Sequence, residues 1–272
     1  MPTLYLVATP IGNLEDITLR ALRLLGQVSL IAAEDTRTTR KLLNHYGIKA
    51  RLTSYHEHNK GAKTSLILDA LQRGDVALVS EAGTPGLSDP GYDLVAAAVA
   101  AGVPVVPVPG PSAVVTALAV SGLPTRQFTY VGFLPRRQGE RRRLLSALAG
   151  RTQTIVALES PHRLSATLAD LLAILGDRRI AVCRELTKLH EEVFRGRISE
   201  AYAYFQEPRG EFTLVVEGDL GNHQPVVPLE EVREELRRLH RQGMTARQAV
   251  AQVAQRFGLP RRQVYRLWLD TA

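Results

Sequence analysis

Short apolar runs that stop abruptly in glycine, proline and hydroxyl-bearing residues recur along the first half of the chain. Leu4-Tyr5-Leu6-Val7, Val28-Ser29-Leu30-Ile31-Ala32-Ala33, Val76-Ala77-Leu78-Val79 and Val103-Pro104-Val105-Val106-Pro107-Val108 read as buried strands. Helical spacing lies between them: Leu19, Leu22 and Leu25 predict a helix with one apolar face, and a second helix is predicted over 92–101. Strands alternating with helices predict a mainly parallel sheet with helices on its faces. The loops at the carboxyl edge of such a sheet converge on one crevice. They are Ala8 to Leu14, Glu34 to Arg40, His56 to Asn59 after Leu52-Thr53-Ser54-Tyr55, Ser80 to Gly91, and Pro109 to Ala113.

The alternation restarts near Gly122-Leu123-Pro124-Thr125, which places a domain boundary there. Strands are predicted over 128–134, 155–158, 180–183, 193–198 and 212–216, and polar clusters again follow them: Glu159-Ser160-Pro161-His162-Arg163 and Arg184-Glu185-Leu186-Thr187-Lys188. Beyond 221–225 the pattern is purely helical. Leu229, Val232, Leu236 and Leu239 share a face, as do Ala246, Ala249, Val250, Val253 and Phe257, and then Val264, Leu267 and Trp268. Thr245 is placed to cap the second of these helices, and Gly258, Leu259 and Pro260 form a tight corner before the third. Three short helices with such a corner resemble a helix-turn-helix. The predicted organisation is an α/β domain over 1–121, a second over 122–224, and a helical tail over 225–272.

Composition narrows the function. The chain has 272 residues, 45% apolar and 22% charged. No apolar run reaches the roughly 18 to 20 residues of a membrane span. The N-terminus lacks a basic segment before its first apolar run, so a cytoplasmic protein is expected. A lone cysteine, Cys183, rules out an internal disulfide and a cysteine-built metal site. His56, Glu57 and His58 have the spacing of neither a helical metal motif nor a finger, so no metal is expected.

The net charge of +7 favours an anionic partner. Two places concentrate it. Residues 135–143 carry Arg136, Arg137, Arg141, Arg142 and Arg143 against a single acid, Glu140, and read as a solvated loop able to hold several phosphates. The third tail helix carries Arg261, Arg262 and Arg266. These eight arginines are the candidate nucleic-acid-binding residues. Neither G-x-G-x-x-G nor a Walker lysine is present, which excludes a conventional dinucleotide or nucleoside triphosphate site.

Six segments carry a specific resemblance: LVATPIGNLEDIT (6–18), AEDTRTTRKLL (32–42), SYHEHN (54–59), SEAGTPGLSDPG (80–91), VPGPSA (108–113) and ESPHR (159–163). The chain resembles, along essentially all its length, the tetrapyrrole-methylase fold and, within it, the methyltransferases of small-subunit ribosomal RNA. The resemblance implies two α/β domains with S-adenosylmethionine in the cleft between them, a homodimer, and methylation of a ribose 2′-hydroxyl on a cytidine in the decoding region of 16S ribosomal RNA. It implies cofactor contacts from Pro10, Gly83, Thr84, Leu87, Ser112 and Ala113 in the first domain, and from Leu158, Glu159 and Phe212 in the second. S-adenosylmethionine carries no phosphate, which agrees with the missing phosphate motifs. Gly83-Thr84-Pro85 stands where many tetrapyrrole-modifying relatives have Gly-Asp-Pro, and the absent carboxylate speaks against a small tetrapyrrole substrate.

A ribose hydroxyl has a high pKa, so a base, or a cation that stabilises the developing alkoxide, serves the reaction. The candidate catalytic residues are Glu34, Asp35, Arg37, Glu81 and Arg184, with His56, Glu159 and Glu185 as further bases and Arg163 and Lys188 as further cations. Strand-end clusters of this kind also serve as structural ion pairs. Two other readings stay open: a methyltransferase of small molecules on the same fold, and a nucleic-acid-binding regulator without catalysis that acts through the tail.

Overall fold

The structure is a computed structural model. It describes residues 1–221, 229–257, 259 and 261–269, without the side chains of residues 229, 230, 262 and 263. The first half runs β1 (Leu4–Val7), α1 (Leu19–Gln27), β2 (Leu30–Ala33), α2 (Thr36–His45), β3 (Leu52–Ser54), α3 (Lys60–Leu71), β4 (Val76–Val79), α4 (Gly91–Ala100) and β5 (Val105–Val108). Its sheet has the order β3-β2-β4-β1-β5, with every pair parallel.

The chain steps one way from β1 to β2 to β3 and then back to β4 and β5, and right-handed crossovers therefore put the helices on both faces. Val7, Ile31, Ala33, Ala77 and Val79 pack against Leu24, Leu25, Leu42 and Leu43 of α1 and α2. Leu4, Ala32 and Leu78 pack on the other face against Ile67, Leu71, Leu94 and Ala98 of α3 and α4. The neighbours β1 and β4 thus send their chains to opposite faces, and the gap beyond their carboxyl ends is a switch point of the kind that receives ligands.

One expectation about α1 fails. Leu19 is exposed, and the buried face is Ala21, Leu24 and Leu25. Positions 19, 22 and 25 lie three apart, so each step falls short of a full 3.6-residue turn and the row drifts around the helix.

The second half runs α5 (Ala113–Val120), β6 (Phe128–Phe133), α6 (Gln138–Leu148), β7 (Thr154–Glu159), α7 (Pro161–Leu175), β8 (Arg179–Arg184), β9 (Glu192–Arg197), α8 (Ile198–Tyr204) and β10 (Phe212–Val216). All five predicted strands are present. Their sheet, ordered β6-β7-β10-β8-β9, is parallel only between β6 and β7, so the expectation of a parallel sheet holds for the first half alone. The segment 185–191 between β8 and β9 is too short for a crossover, and these strands pair as a hairpin.

One face of this sheet, with Ile155, Ala157, Ile180, Val182, Leu214 and Val216, is covered by α6, α7 and α8. The other face, with Val156, Ala181, Cys183 and Val215, is covered by Val114, Ala117 and Leu118 of α5 and by Ile11 from the first half. Helix α5 was assigned to the domain over 1–121, yet it packs on the second sheet. Its apolar side is the natural cover for an otherwise bare sheet face, and the chain therefore crosses between the halves at 109–112. Arg195 on β9 donates to the Val120 carbonyl at the end of α5, which places a cation at that helix's negative pole.

The tail holds α9 (Leu229–Arg241), α10 (Ala246–Phe257) and α11 (Arg261–Leu269). Val232, Leu236, Leu239, Ala249, Val250, Val253, Val264, Leu267 and Trp268 form its core, as the periodicity predicts. The His240 ring meets Trp268 edge-on at 5.0 Å. Thr245 acts differently from the expected cap, because its hydroxyl donates to Gln248 Oε1 at 2.8 Å. The proposed boundary at 224/225 and the corner residues Gly258 and Pro260 lie outside the described residues. Among the described residues no helix is long and apolar enough to cross a membrane.

Candidate active site

Two loops meet at the switch point. Thr9 and Gly83 exchange a pair of backbone hydrogen bonds, 2.9 and 3.0 Å, which ties the loop after β1 to the loop after β4. Gly83 has φ +81°, a left-handed conformation that glycine adopts without strain. Thr84 Oγ1 donates to the Pro111 carbonyl at 3.3 Å, adding the loop after β5 to the same wall. Thr9 Oγ1 is buried and has no partner among the described residues, a polar atom that a ligand can satisfy. Sequence reasoning missed Thr9, since a threonine between a strand and a proline reads as an ordinary turn former. Ser112 precedes α5 without capping it through its side chain, so the first-turn amides after it keep donor capacity.

The second half closes on these loops from two sides. On one side, the Asn13 amide donates to Thr187 Oγ1 at 3.0 Å, and Gly12 lies against Leu186, Thr187 and Lys188. The segment after β8 is braced for this contact. Glu185 and Thr187 both hold positive φ, 50° and 66°. Glu185 accepts from the Glu211 amide at 2.8 Å and from Lys188 Nζ at 3.0 Å, Lys188 also pairs with Glu211 at 3.1 Å, and Glu191 accepts from the Thr187 amide at 2.6 Å. On the other side, Ser88, at φ 65°, shares a 2.7 Å hydrogen bond with the Tyr130 hydroxyl of β6. Asp89 holds the loop leading there by accepting from the amides of Gly86 and Gly91.

The alternation of β7 and β10 sorts the residues expected at the cofactor. Leu158 and Thr213 stand opposite each other on the face turned toward α5 and the first half. Glu159 and Phe212 turn the other way. The Glu159 carboxylate is buried, accepts from Thr167 Oγ1 at 2.6 Å and pairs with Arg163 at 2.5 Å. Phe212 packs edge-on against Phe205 in the core beneath α8. The side chains of Glu159 and Phe212 therefore serve the fold.

Most of the candidate acids and bases are committed. Asp35 caps α2 by accepting from the Arg37 amide at 2.7 Å, and this bond holds its carboxyl below the usual range. Arg37 projects into solvent. Arg184 donates to the Arg209 carbonyl and to Glu192. Glu185, Lys188 and Arg163 are bound as described above. Glu34 differs. It follows β2 half-buried, its Oε2 accepts from the Glu81 amide at 3.1 Å, and Oε1 has no partner among the described residues. Burial pushes its carboxyl above the ordinary glutamate range, against the Glu81 amide bond that lowers it, with Asp89 and Glu81 as nearby negative charges adding to the rise. The Glu81 side chain itself is exposed. His56 Nδ1 is buried without a partner, while Nε2 lies 3.2 Å from the Asn59 amide group. Among the described residues, no three His, Cys, Asp or Glu side chains gather as a metal ion requires.

The arginine run is not a loop. Residues 138–148 form α6, and Arg141 points inward, 4% exposed, to pair with Asp170 of α7 at 2.6 Å. It is removed from the set of RNA-binding candidates because its charge is already used. Arg142 donates to the same carboxylate at 2.8 Å while remaining half exposed. Burial alone would raise the Asp170 carboxyl, and the hydrogen bonds from Arg142, Arg141 and Gln138 overcome it, leaving the group below its ordinary value. Arg137 pairs loosely with Glu140 at 3.5 Å. The guanidinium groups of Arg136 and Arg143 are exposed and pair with no described residue. In the tail Arg261 and Arg266 are exposed, and the side chain of Arg262 lies outside the described residues.

Residues 3–202 match the family described as Tetrapyrrole (Corrin/Porphyrin) Methylases, and residues 228–271 match the RsmI C-terminal HTH domain. The chain is 50% identical over 274 residues to Ribosomal RNA small subunit methyltransferase I of Synechocystis sp., with 99% of this chain and 98% of that one covered. It is 48% identical over 275 residues to the protein of that name from Halalkalibacterium halodurans, covering 98% and 94%. The corresponding figures for Bacillus subtilis are 46% over 274 residues, covering 97% and 93%. Among solved structures, uroporphyrin-III-C-methyltransferase from Thermus thermophilus superposes with a TM-score of 0.59 at 24% identity, covering 81% of this chain and 96% of that one. At that identity the likeness is one of fold.

Proposed function

Because the chain belongs to the tetrapyrrole methylase family and is about half identical, end to end, to proteins named Ribosomal RNA small subunit methyltransferase I, we propose that it methylates a ribose 2′-hydroxyl of 16S ribosomal RNA, on a cytidine of the decoding region. The observation that carries this reading is that the crevice-bearing body and the helical tail match the same relatives together. A small substrate would require neither the tail nor the exposed arginines Arg136, Arg137, Arg142 and Arg143 on the body.

The crevice fits S-adenosylmethionine. The orphan hydroxyl of Thr9 and the free first-turn amides after Ser112 suit the polar methionine end of such a ligand, and Leu87 and Leu158 offer apolar surface for an adenine. Pro10, Gly83, Thr84, Leu87, Ser112 and Ala113 hold it from the first half, joined by Leu158 and by the backbone at Glu159 and Phe212. Bound there, the cofactor supplies an electrophilic methyl group for in-line transfer. The chain's part is to seat the two reactants in contact, exclude water and take the hydroxyl proton.

Glu34 is the proposed base. It is half-buried, and burial raises its carboxyl toward neutral pH, whereas the carboxyls of Asp35 and Glu185 are held below their ordinary values. The working form is taken as a homodimer in the cytoplasm.

The test is transfer of radiolabelled methyl from S-adenosylmethionine to purified small ribosomal subunits, with free 16S RNA and a tetrapyrrole precursor in parallel. Label mapping to a ribose in the RNA supports the reading. Label in the tetrapyrrole alone overturns it, and label nowhere despite cofactor binding points to the regulator.

A further inference from the structure

Helix α11 presents an exposed stripe that packing does not explain. Its inner face, Val264, Leu267 and Trp268, completes the tail core. Arg261, Tyr265 and Leu269, four residues apart, lie along one outward row, with Arg266 beside them. Tyr265 is 49% exposed and Leu269 60%. Part of the tail's positive charge is already spent on an acid. In α9 and α10, Arg238 and Arg256 both pair with Glu235. The guanidinium groups of Arg261 and Arg266 pair with no described residue. An aromatic ring between uncompensated arginines matches a strand of unstacked bases and phosphates.

A helix of this kind is familiar in the wide major groove of DNA, but the major groove of an A-form RNA duplex is too narrow to admit it. If the substrate is RNA, as the function proposed above holds, the tail must read something other than the duplex groove. We propose that the outer face of α11 binds an unpaired stretch of RNA, with Tyr265 as the platform on which one base stacks and Arg261 and Arg266 holding the flanking phosphates. The inference rests on the RNA-substrate reading and adds the form of RNA that the tail selects.

The experiment uses the full-length protein without cofactor, a short fluorescein-labelled single-stranded RNA and its blunt duplex, and anisotropy titrations over a range of salt. The single strand is expected to bind more tightly than the duplex. Tyr265→Ala should weaken single-strand binding roughly 5- to 100-fold, the loss of one base-stacking contact, and Tyr265→Phe should retain it. The salt slope of Tyr265→Ala should equal that of the wild type, while Arg266→Gln should lower it by about 0.7. Circular dichroism and cofactor binding equal to wild type establish that the variants are folded.

Equal binding of the single strand by wild type and Tyr265→Ala overturns the proposal, as does equal binding of duplex and single strand by the wild type. A protein that stacks RNA on Tyr265 but labels no ribose defeats the methyl-transfer reading and leaves this surface standing. Ribose labelling with an indifferent Tyr265→Ala does the reverse.

Discussion

The Asn13 amide donates to the Thr187 hydroxyl at 3.0 Å across 174 positions of sequence. The residue before it, Gly12, has no room for a side chain: a Cβ there would overlap Lys188 Cγ and stand 2.8 Å from Thr187 Oγ1 and 2.9 Å from the Leu186 carbonyl. The carbonyl belongs to the backbone of a braced segment and cannot simply rotate away. Gly12→Ala should therefore cost about 1–3 kcal/mol, as overpacking does, and loosen the joint between the halves. Urea unfolding measures the first effect and calorimetry of S-adenosylmethionine binding the second. An unchanged midpoint with unchanged affinity would show that this contact is not tight in solution.

Glu34 and Asp35 are neighbours with different work. Glu34→Gln should lower methyl transfer by about 10²- to 10⁴-fold, the usual loss of a general base, with cofactor affinity preserved. The wild-type rate should fall as pH drops through the raised pKa of Glu34, because only the carboxylate takes a proton. Asp35→Ala removes the cap of α2 and should cost about 1 kcal/mol of stability with the chemical step intact. Single-turnover rates across pH separate the two residues, and a Glu34→Gln protein with wild-type turnover would transfer the search for a base to His56.

Asp170→Asn should destabilise the second half by about 3–5 kcal/mol, because it leaves the buried Arg141 without its counter-charge. The pH dependence has a definite sign. The folded-state pKa of Asp170 is depressed below that of an ordinary aspartate, so its contribution is fully present above the ordinary value and is lost as pH falls through the depressed one. Denaturant titrations from pH 7 to pH 2 should show the wild type losing stability at the acid end more steeply than Asp170→Asn. Matching slopes would remove Asp170 from the account.

Most of the strands beneath the crevice could be read from apolar runs that end in turn formers, because a buried strand leaves that mark in one dimension; β3, Leu52–Ser54, has no such run and went unread. The helical tail was equally legible, since Val232, Leu236, Leu239, Val253 and Trp268 keep their period. What the sequence concealed depends on partners far along the chain. Arg141 looks like one more surface arginine until Asp170, 29 positions away, is brought beside it. The direction of a strand leaves little trace in its apolar run. Glu159 and Phe212 stand at strand ends with their side chains on the face away from α5 and the first half, and only the pairing of β7 with β10 fixes that parity.

Cys183 lies on the sheet face under α5, and burial pushes its thiol up to about 11. The thiolate is the reactive form, so at pH 8 the folded protein should react with a disulfide reagent only as fast as it unfolds. Reaction rates in the presence and absence of denaturant check this. Immediate reaction of the native protein would mean that α5 lifts readily from the sheet.

That helix gives the crossing segment a second meaning. Residues 109–112 lead from the first sheet to α5, whose side chains belong to the second, while Thr84 fastens to Pro111 and Gly110 lies against Ala8. The peptide that joins the two halves and one wall of the crevice are thus the same short segment. Any ligand that touches this wall also touches the joint, so its binding energy should appear in part as added resistance of the two halves to separation.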